Sequence, residues 1–187
     1  MVKHNKQVVA IFGGSFDPPH QGHQSIVNSA IENLNIDKLL VIPAYLNPFK
    51  VSSIASATQR LKWCQALFDD NSDVIVDDYE IKENQSTTTS QSVKHFNIEY
   101  DVKYLIIGSD NLSTLPQWHN FKWLNENIIW VIVTRDKCPL EIKGLREWRT
   151  LLLDEPMSST QIRASKELQY IDKKIKKSVQ KILQGKN

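Results

Sequence analysis

Very little in this chain of 187 residues points to a membrane, a metal or a disulfide. No apolar run approaches the roughly 20 residues that a bilayer crossing needs. The opening residues Met1-Val2-Lys3-His4-Asn5-Lys6 are basic, but the apolar run behind them is far too short for a secretory signal. Of the 2 cysteines, Cys64 and Cys138, neither belongs to a Cys-x-x-Cys pair. Both read as packed thiols rather than metal ligands or a disulfide. The excess of positive charge is only +2, too small to argue for nucleic acid. Repeats, low-complexity tracts and linkers are missing, and the Ser86–Ser90 stretch is too short to count. Two phosphate-binding glycine patterns are missing as well: there is no Gly-x-Gly-x-x-Gly fingerprint, and no Gly-Lys-Ser/Thr that would close a P-loop. A soluble, cytoplasmic protein with one domain over residues 1–187 is the expectation these absences leave. A hydrophobic content of 41% and a charged content of 24% suit such a domain.

What is present alternates between two periods. Short apolar runs at 8–12, 39–43, 74–76, 104–107, 128–133 and 150–153 read as buried strands. Helical patterns lie near 24–33, 59–68 and 92–99, with one or two helices over 161–183. Ser56 followed by Gln59 predicts a capping box at the start of the second of these. Strands separated by helices imply right-handed crossovers. The expected fold is α/β: a Rossmann-like, doubly wound, mainly parallel sheet with helices on both faces and a helical C-terminus.

The most informative stretch is Gly13-Gly14-Ser15-Phe16-Asp17-Pro18-Pro19-His20-Gln21-Gly22-His23. It joins the first strand to the first helix through two glycines, so the backbone and the first free N–H groups of the helix can approach an anion. In place of a P-loop lysine stand His20 and His23, spaced to share one side of a first helical turn. The two prolines are expected to hold the chain out of helix until the second histidine. Imidazoles so placed can donate to a phosphate as charge builds on it, although a surface or capping role would need the same positions. In open parallel sheets, ligands bind beyond the carboxyl ends of the strands. Gly108-Ser109-Asp110 and Ser158–Arg163 follow later strands, so topology gathers them with the first motif. Ser158 and Gln161 also read as a plain helix start.

Phe16-Asp17-Pro18-Pro19-His20-Gln21-Gly22-His23 resembles the His-x-Gly-His signature of the nucleotidyltransferase superfamily. Met157-Ser158-Ser159-Thr160-Gln161-Ile162-Arg163 is similar to that family's Ile-Ser-Ser-Thr-x-Ile-Arg. Leu115-Pro116-Gln117-Trp118-His119, with Trp123-Leu124 after it, resembles the tryptophan-bearing segment of bacterial nicotinate-nucleotide adenylyltransferases. The resemblance implies transfer of AMP from ATP to nicotinate mononucleotide, with Mg²⁺ accompanying ATP and held largely by it and by water. It implies catalytic roles for His20, His23 and Arg163. ATP contacts are implied at Gly13, Gly14, Ser15, Phe16, Lys50, Gly108, Asp110, Ser159, Thr160 and Arg163, with Asp110 holding the ribose. Thr89, Trp118 and Arg135 are implied for the mononucleotide, the tryptophan stacking on its pyridine ring. One segment departs from the pattern. Where the family has Ser-Tyr-Thr-x-Asp-Thr-Leu, Thr88 replaces the tyrosine and Gln91 the aspartate.

Competing readings stay open on residues alone. A phosphopantetheine or nicotinamide mononucleotide adenylyltransferase would share the first two motifs, and so would a catalytically silent nucleotide sensor. Trp118 and Trp123 suit a core as well as a ligand platform. Asp110 suits a helix cap, and Lys50 or Arg135 an ordinary surface. The lysines at 173, 174, 176, 177 and 181 read as a solvated helix face rather than a nucleic-acid patch. The expected partners are two small molecules, with no nucleic acid and no membrane; a homo-oligomer is compatible with the sequence.

Overall fold

The computed structural model describes residues 6–48, 50–134, 142–153 and 158–185. Strands β1 (Val8–Gly14), β2 (Lys38–Pro43), β3 (Val74–Val76), β4 (Asp101–Gly108), β5 (Ile129–Thr134) and β6 (Trp148–Leu152) form one 6-stranded sheet. Their order is β3-β2-β1-β4-β5-β6, and every neighbouring pair is parallel. The helices are α1 (Gln21–Asn33), α2 (Ala57–Phe68), α3 (Tyr79–Lys82), α4 (Thr89–Phe96), α5 (Phe121–Asn127), α6 (Ser159–Ser165) and α7 (Lys173–Leu183). The chain builds outward from β1 to β3, then returns to lay β4 against the other edge of β1. That reversal opens a crevice beyond the carboxyl ends of β1 and β4.

The sheet is covered on both faces, so its strands are nearly continuous apolar runs. Ala10 and Phe12 join Val27, Trp63, Ile162 and Val179 in one core. Val9 and Ile11, alternating with them, join Val93, Leu124 and Trp130 in the other. The doubly wound parallel sheet expected from the sequence is therefore the one observed, and it is parallel throughout the described strands.

Helix starts differ from the expectation. α1 begins at Gln21, so the two prolines exclude only His20 from the helix, and His23 lies one turn inside. α4 begins at Thr89 rather than near Ser92, because Thr88 and Gln91 build its cap: the Thr88 N–H donates to Gln91 Oε1 at 2.9 Å. The two residues that depart from the family pattern thus start this helix. α3 and α5 escape the periodic reading because each spans barely more than a turn or two. The last helical stretch divides at Lys166, which turns into the left-handed region at φ 58° and closes α6. Ser56 caps α2 as expected, accepting the Gln59 N–H at 3.1 Å.

α7 buries Ile175 and Val179 and turns its lysines to water, as a solvated amphipathic face should. Trp63 of α2 donates to Ser178 Oγ at 3.0 Å, tying the two helices. Cys64 is buried, and that burial pushes its thiol pKa far up, so it behaves as a small hydrophobe; Cys138 lies outside the described residues. Among the described residues no helix is long and apolar enough to cross a membrane.

Leu40 is fully buried between β1 and β3. Leu40→Ala is expected to lower stability by about 2–5 kcal/mol in urea unfolding. The exposed Lys177→Ala should stay within about 0.5 kcal/mol of the parent.

Candidate active site

The site begins where β1 ends. Gly13 is exposed, and a Cβ built there would meet only the Ile42 carbonyl at 4.0 Å, so a ligand can reach the backbone. At Gly14 a Cβ would come within 3.1 Å of the Phe16 ring, and glycine is what allows the loop to close. Phe16 itself sits in the left-handed region at φ 47°. Holding a bulky residue there costs about 1–3 kcal/mol. Burying its ring offsets a similar amount; the ring is 1% exposed, edge-on to Phe12 at 5.4 Å and packed on His23 at 4.9 Å. Its side chain therefore supports the loop from below and belongs to the core rather than to the open face of the site.

The loop is fastened from α2. The buried Arg60 donates to the carbonyls of Ser15 and Ala44 at 2.7 Å each, Tyr45 at 2.6 Å and Ala55 at 3.3 Å. The Asp17 carboxylate, also buried, accepts the N–H groups of Ile54 at 2.9 Å and Ala55 at 3.1 Å. Buried backbone groups off the ladder need such partners.

His20 and His23 come together as the spacing implies, their ring centroids 3.9 Å apart. His20 is the N-cap of α1, and its backbone N–H donates to His23 Nδ1 at 3.1 Å. An Nδ1 that accepts a hydrogen bond carries no proton, so neutral His23 holds its proton on Nε2. One backbone hydrogen bond thus fixes the tautomer of the second histidine.

α6 closes the other side. Ser158 caps it reciprocally with Gln161, as predicted. Ser159 Oγ donates to the Pro18 carbonyl at 2.9 Å, while Arg163 donates to the Asp17 carbonyl at 2.7 Å and to Thr160 Oγ1 at 3.0 Å. The signature at residues 158–163 is therefore docked against the β1 loop. Across the loop, Lys50 Nζ donates to Ser15 Oγ at 3.0 Å. Burial first and the Arg163 charge second hold the Lys50 ammonium below its ordinary pKa, against the opposing pull of Asp17. The rim gathers Lys50, Arg163 and Arg60, with Asp17 and Asp110 opposing them.

Beside it a cavity of about 370 Å³ runs between β1 and β4. Gly13, Gly14 and Gly108 form its strand-end wall, and Thr89 and Trp118 line the far side. Lys50, Ser159, Thr160 and Arg163 lie outside its walls. Asp110, exposed in the short turn Ser109–Asn111, folds its carboxyl over Gly108, where any Cβ would collide with it. Trp118 packs edge-on to Trp130 with centroids 6.3 Å apart and keeps part of its surface open. Trp123 is not at the cavity; it lies on α5 under the Lys94 ammonium. Arg135 falls outside the described residues.

Residues 11–165 match the model of the cytidylyltransferase-like family. The chain is 62% identical over 186 residues to a probable nicotinate-nucleotide adenylyltransferase of Sulfurovum sp. (strain NBC37-1), covering 100% of this chain and 99% of that one. The chain belongs to the nicotinate-nucleotide adenylyltransferase family. A second member, from Campylobacter fetus subsp. fetus (strain 82-40), is 40% identical, with coverage of 96% and 98%. Among solved structures, the nicotinic acid mononucleotide adenylyltransferase of Plasmodium falciparum complexed with NaAD superposes with a TM-score of 0.73. It is 20% identical and covers 96% of this chain and 95% of its own, so that likeness speaks for the fold.

Within this family framework the structure adds residues the sequence did not single out. Arg60 looks like any polar position of an amphipathic helix; its only signal is a charge on the face that also carries Cys64 and Leu67. Glu80 and Ser92 line the cavity; Glu80 falls in a stretch without periodicity, and Ser92 reads only as the start of a helical pattern. Arg60→Met should strand the loop carbonyls and lower stability by about 3 kcal/mol or more. The same variant should raise the KM for ATP in steady-state kinetics, because Ser15 and Asp17 lose their anchor.

Proposed function

We propose that this chain transfers the adenylyl group of ATP to nicotinate mononucleotide, forming nicotinic acid adenine dinucleotide and releasing pyrophosphate. The observation that carries the reading is one of placement. The histidine pair, Lys50 and Arg163 converge at the end of β1, and the cavity beside them ends on the open face of Trp118.

An oxygen of the mononucleotide phosphate attacks the α-phosphorus in line. As that bond forms, the bond to the bridging oxygen breaks and its electron pair leaves with pyrophosphate. No side chain is attacked, so the protein's contribution is positioning and electrostatics. His23 presents Nε2–H as a donor to the oxygens on which charge collects, and its Nδ1 bond to the backbone keeps the ring from turning. Lys50 and Arg163 face the departing phosphates. Burial and Arg163 depress the Lys50 pKa, and a polyanion beside it pulls the other way, so phosphate binding favours the charged ammonium. The exposed Gly13 lets the backbone approach the α-phosphate. Trp118 offers a stacking surface for the pyridine ring, contributing about 0.5–1.5 kcal/mol beyond burial. Among the described residues no His, Cys, Asp and Glu side chains gather in a set that could hold a metal, so Mg²⁺ is assigned to the phosphates of ATP, whose charge it would offset.

The direct test is pyrophosphate release from ATP with each acceptor in turn. Nicotinate mononucleotide should be the productive acceptor; activity with phosphopantetheine alone overturns the reading. His23→Ala should lower kcat by about 10²–10³ with the fold intact by circular dichroism, the effect of losing one preorganised donor. A variant that keeps most of its rate removes His23 from the chemistry. Trp118→Ala should raise the KM for the acceptor several-fold and leave the KM for ATP nearly unchanged, as expected for a platform that touches one substrate only.

A further inference from the structure

One acid in the cavity wall takes no part in the chemistry above. Glu80 of α3 is 8% exposed, and its Oε1 accepts a hydrogen bond from Ser92 Oγ of α4 at 2.7 Å. Ser92 is itself 2% exposed, and both residues line the cavity with Thr89 and Trp118. No cation among the described residues pairs with Glu80. Burial raises its pKa, while the Ser92 hydrogen bond opposes that rise. A carboxyl buried without a cation favours its neutral form, in which it becomes a hydrogen-bond donor.

The groups around it do not supply the missing charge. On α3, Lys82 is turned to Asp78 at 2.9 Å, and Glu83 is exposed. Tyr79 stacks on His95 of α4 at 3.7 Å. His119, beyond Trp118, lies within hydrogen-bond distance of Ser90 Oγ at 3.2 Å. The strand-end wall is glycine and apolar side chains, and the segment after β2 contributes the uncharged Asn47.

Pyridine mononucleotides differ in the ring substituent, a carboxylate in one and a carboxamide in the other. The carboxylate only accepts hydrogen bonds, whereas the amide also donates them. We propose that the Glu80–Ser92 pair is a specificity-determining element that reads this substituent. Protonated Glu80 donates to the carboxylate of nicotinate; ionised Glu80 repels it and accepts from the amide of nicotinamide. The inference rests on the acceptor assignment above. Preference for nicotinate is then present below the Glu80 pKa and lost as the pH rises through it.

The experiment is the ratio of kcat/KM for nicotinate mononucleotide to that for nicotinamide mononucleotide, from about pH 5 to about pH 9. Groups that act on both acceptors alike cancel in the ratio. The parent ratio should fall about tenfold or more across the range, the scale of one mismatched buried hydrogen bond. In Glu80→Gln, which has nearly the same volume and no titration, the ratio should be flat. Ser92→Ala removes the hydrogen bond that stabilises the ionised form, so the fall should move to higher pH. This second variant serves if Glu80→Gln melts early. A flat parent ratio, a fall that persists in Glu80→Gln, or an unmoved transition in Ser92→Ala overturns the proposal. Transfer to neither mononucleotide overturns the acceptor reading and this proposal with it, whereas transfer to nicotinate mononucleotide with a flat ratio overturns this proposal alone.

Discussion

The backbone of residues 15–20 belongs to neither β1 nor α1, yet much of it is buried, and its polar groups need partners from elsewhere. Arg60 answers the Ser15 carbonyl, Arg163 the Asp17 carbonyl and Ser159 the Pro18 carbonyl. The His20 N–H is answered by His23. These bonds come from α2, α6 and α1, elements far apart in sequence that the sheet brings to one end. The left-handed Phe16 is tolerated because the same packing surrounds its ring. Satisfying this one segment draws Arg60, Ser159 and Arg163 to the end of β1.

The same constraint shapes the electrostatics. Arg60 and Arg163 are recruited for their donors, but each also brings a charge, and Lys50 stands beside them. Asp17 answers part of that charge while its carboxylate holds the 54–55 backbone. Lys50 and Arg163 keep positive charge at the end of β1, which suits an anionic ligand. Structural bonds and ligand attraction are thus supplied by the same side chains. On the opposite side of the crevice the surroundings differ: the cavity wall carries the buried acid Glu80, and no cation among the described residues pairs with it.

The local cues in the sequence were strong for strands. Buried parallel strands are short, apolar and bounded by turn residues, and the run at 74–76 coincides with β3. They were weaker for helices such as α3 and α5, which are too short to display a period. Caps were legible where Ser56 and Ser158 precede a polar residue three positions on. At α4, Thr88 and Gln91 do the same work, but they read first as departures from a family motif. Arg60 was illegible for a different reason: its partners are backbone carbonyls at 15, 44, 45 and 55, and carbonyls carry no sequence signal.

The chain by itself determined that strands and helices alternate, that a glycine-rich turn follows the first strand, and that two histidines share one helical turn. These are consequences of local sterics and of hydrogen bonds between near neighbours, which a run of residues encodes directly. The tertiary structure decided which side chains share a wall. Only the return of β4 to the flank of β1 opens the cavity, sets Trp118 across it from the glycines, leaves Trp123 outside, and buries Glu80 against Ser92 with no cation among the described residues to pair with it. Those relations depend on burial and on contacts between distant segments, and neither exists until the sheet has formed.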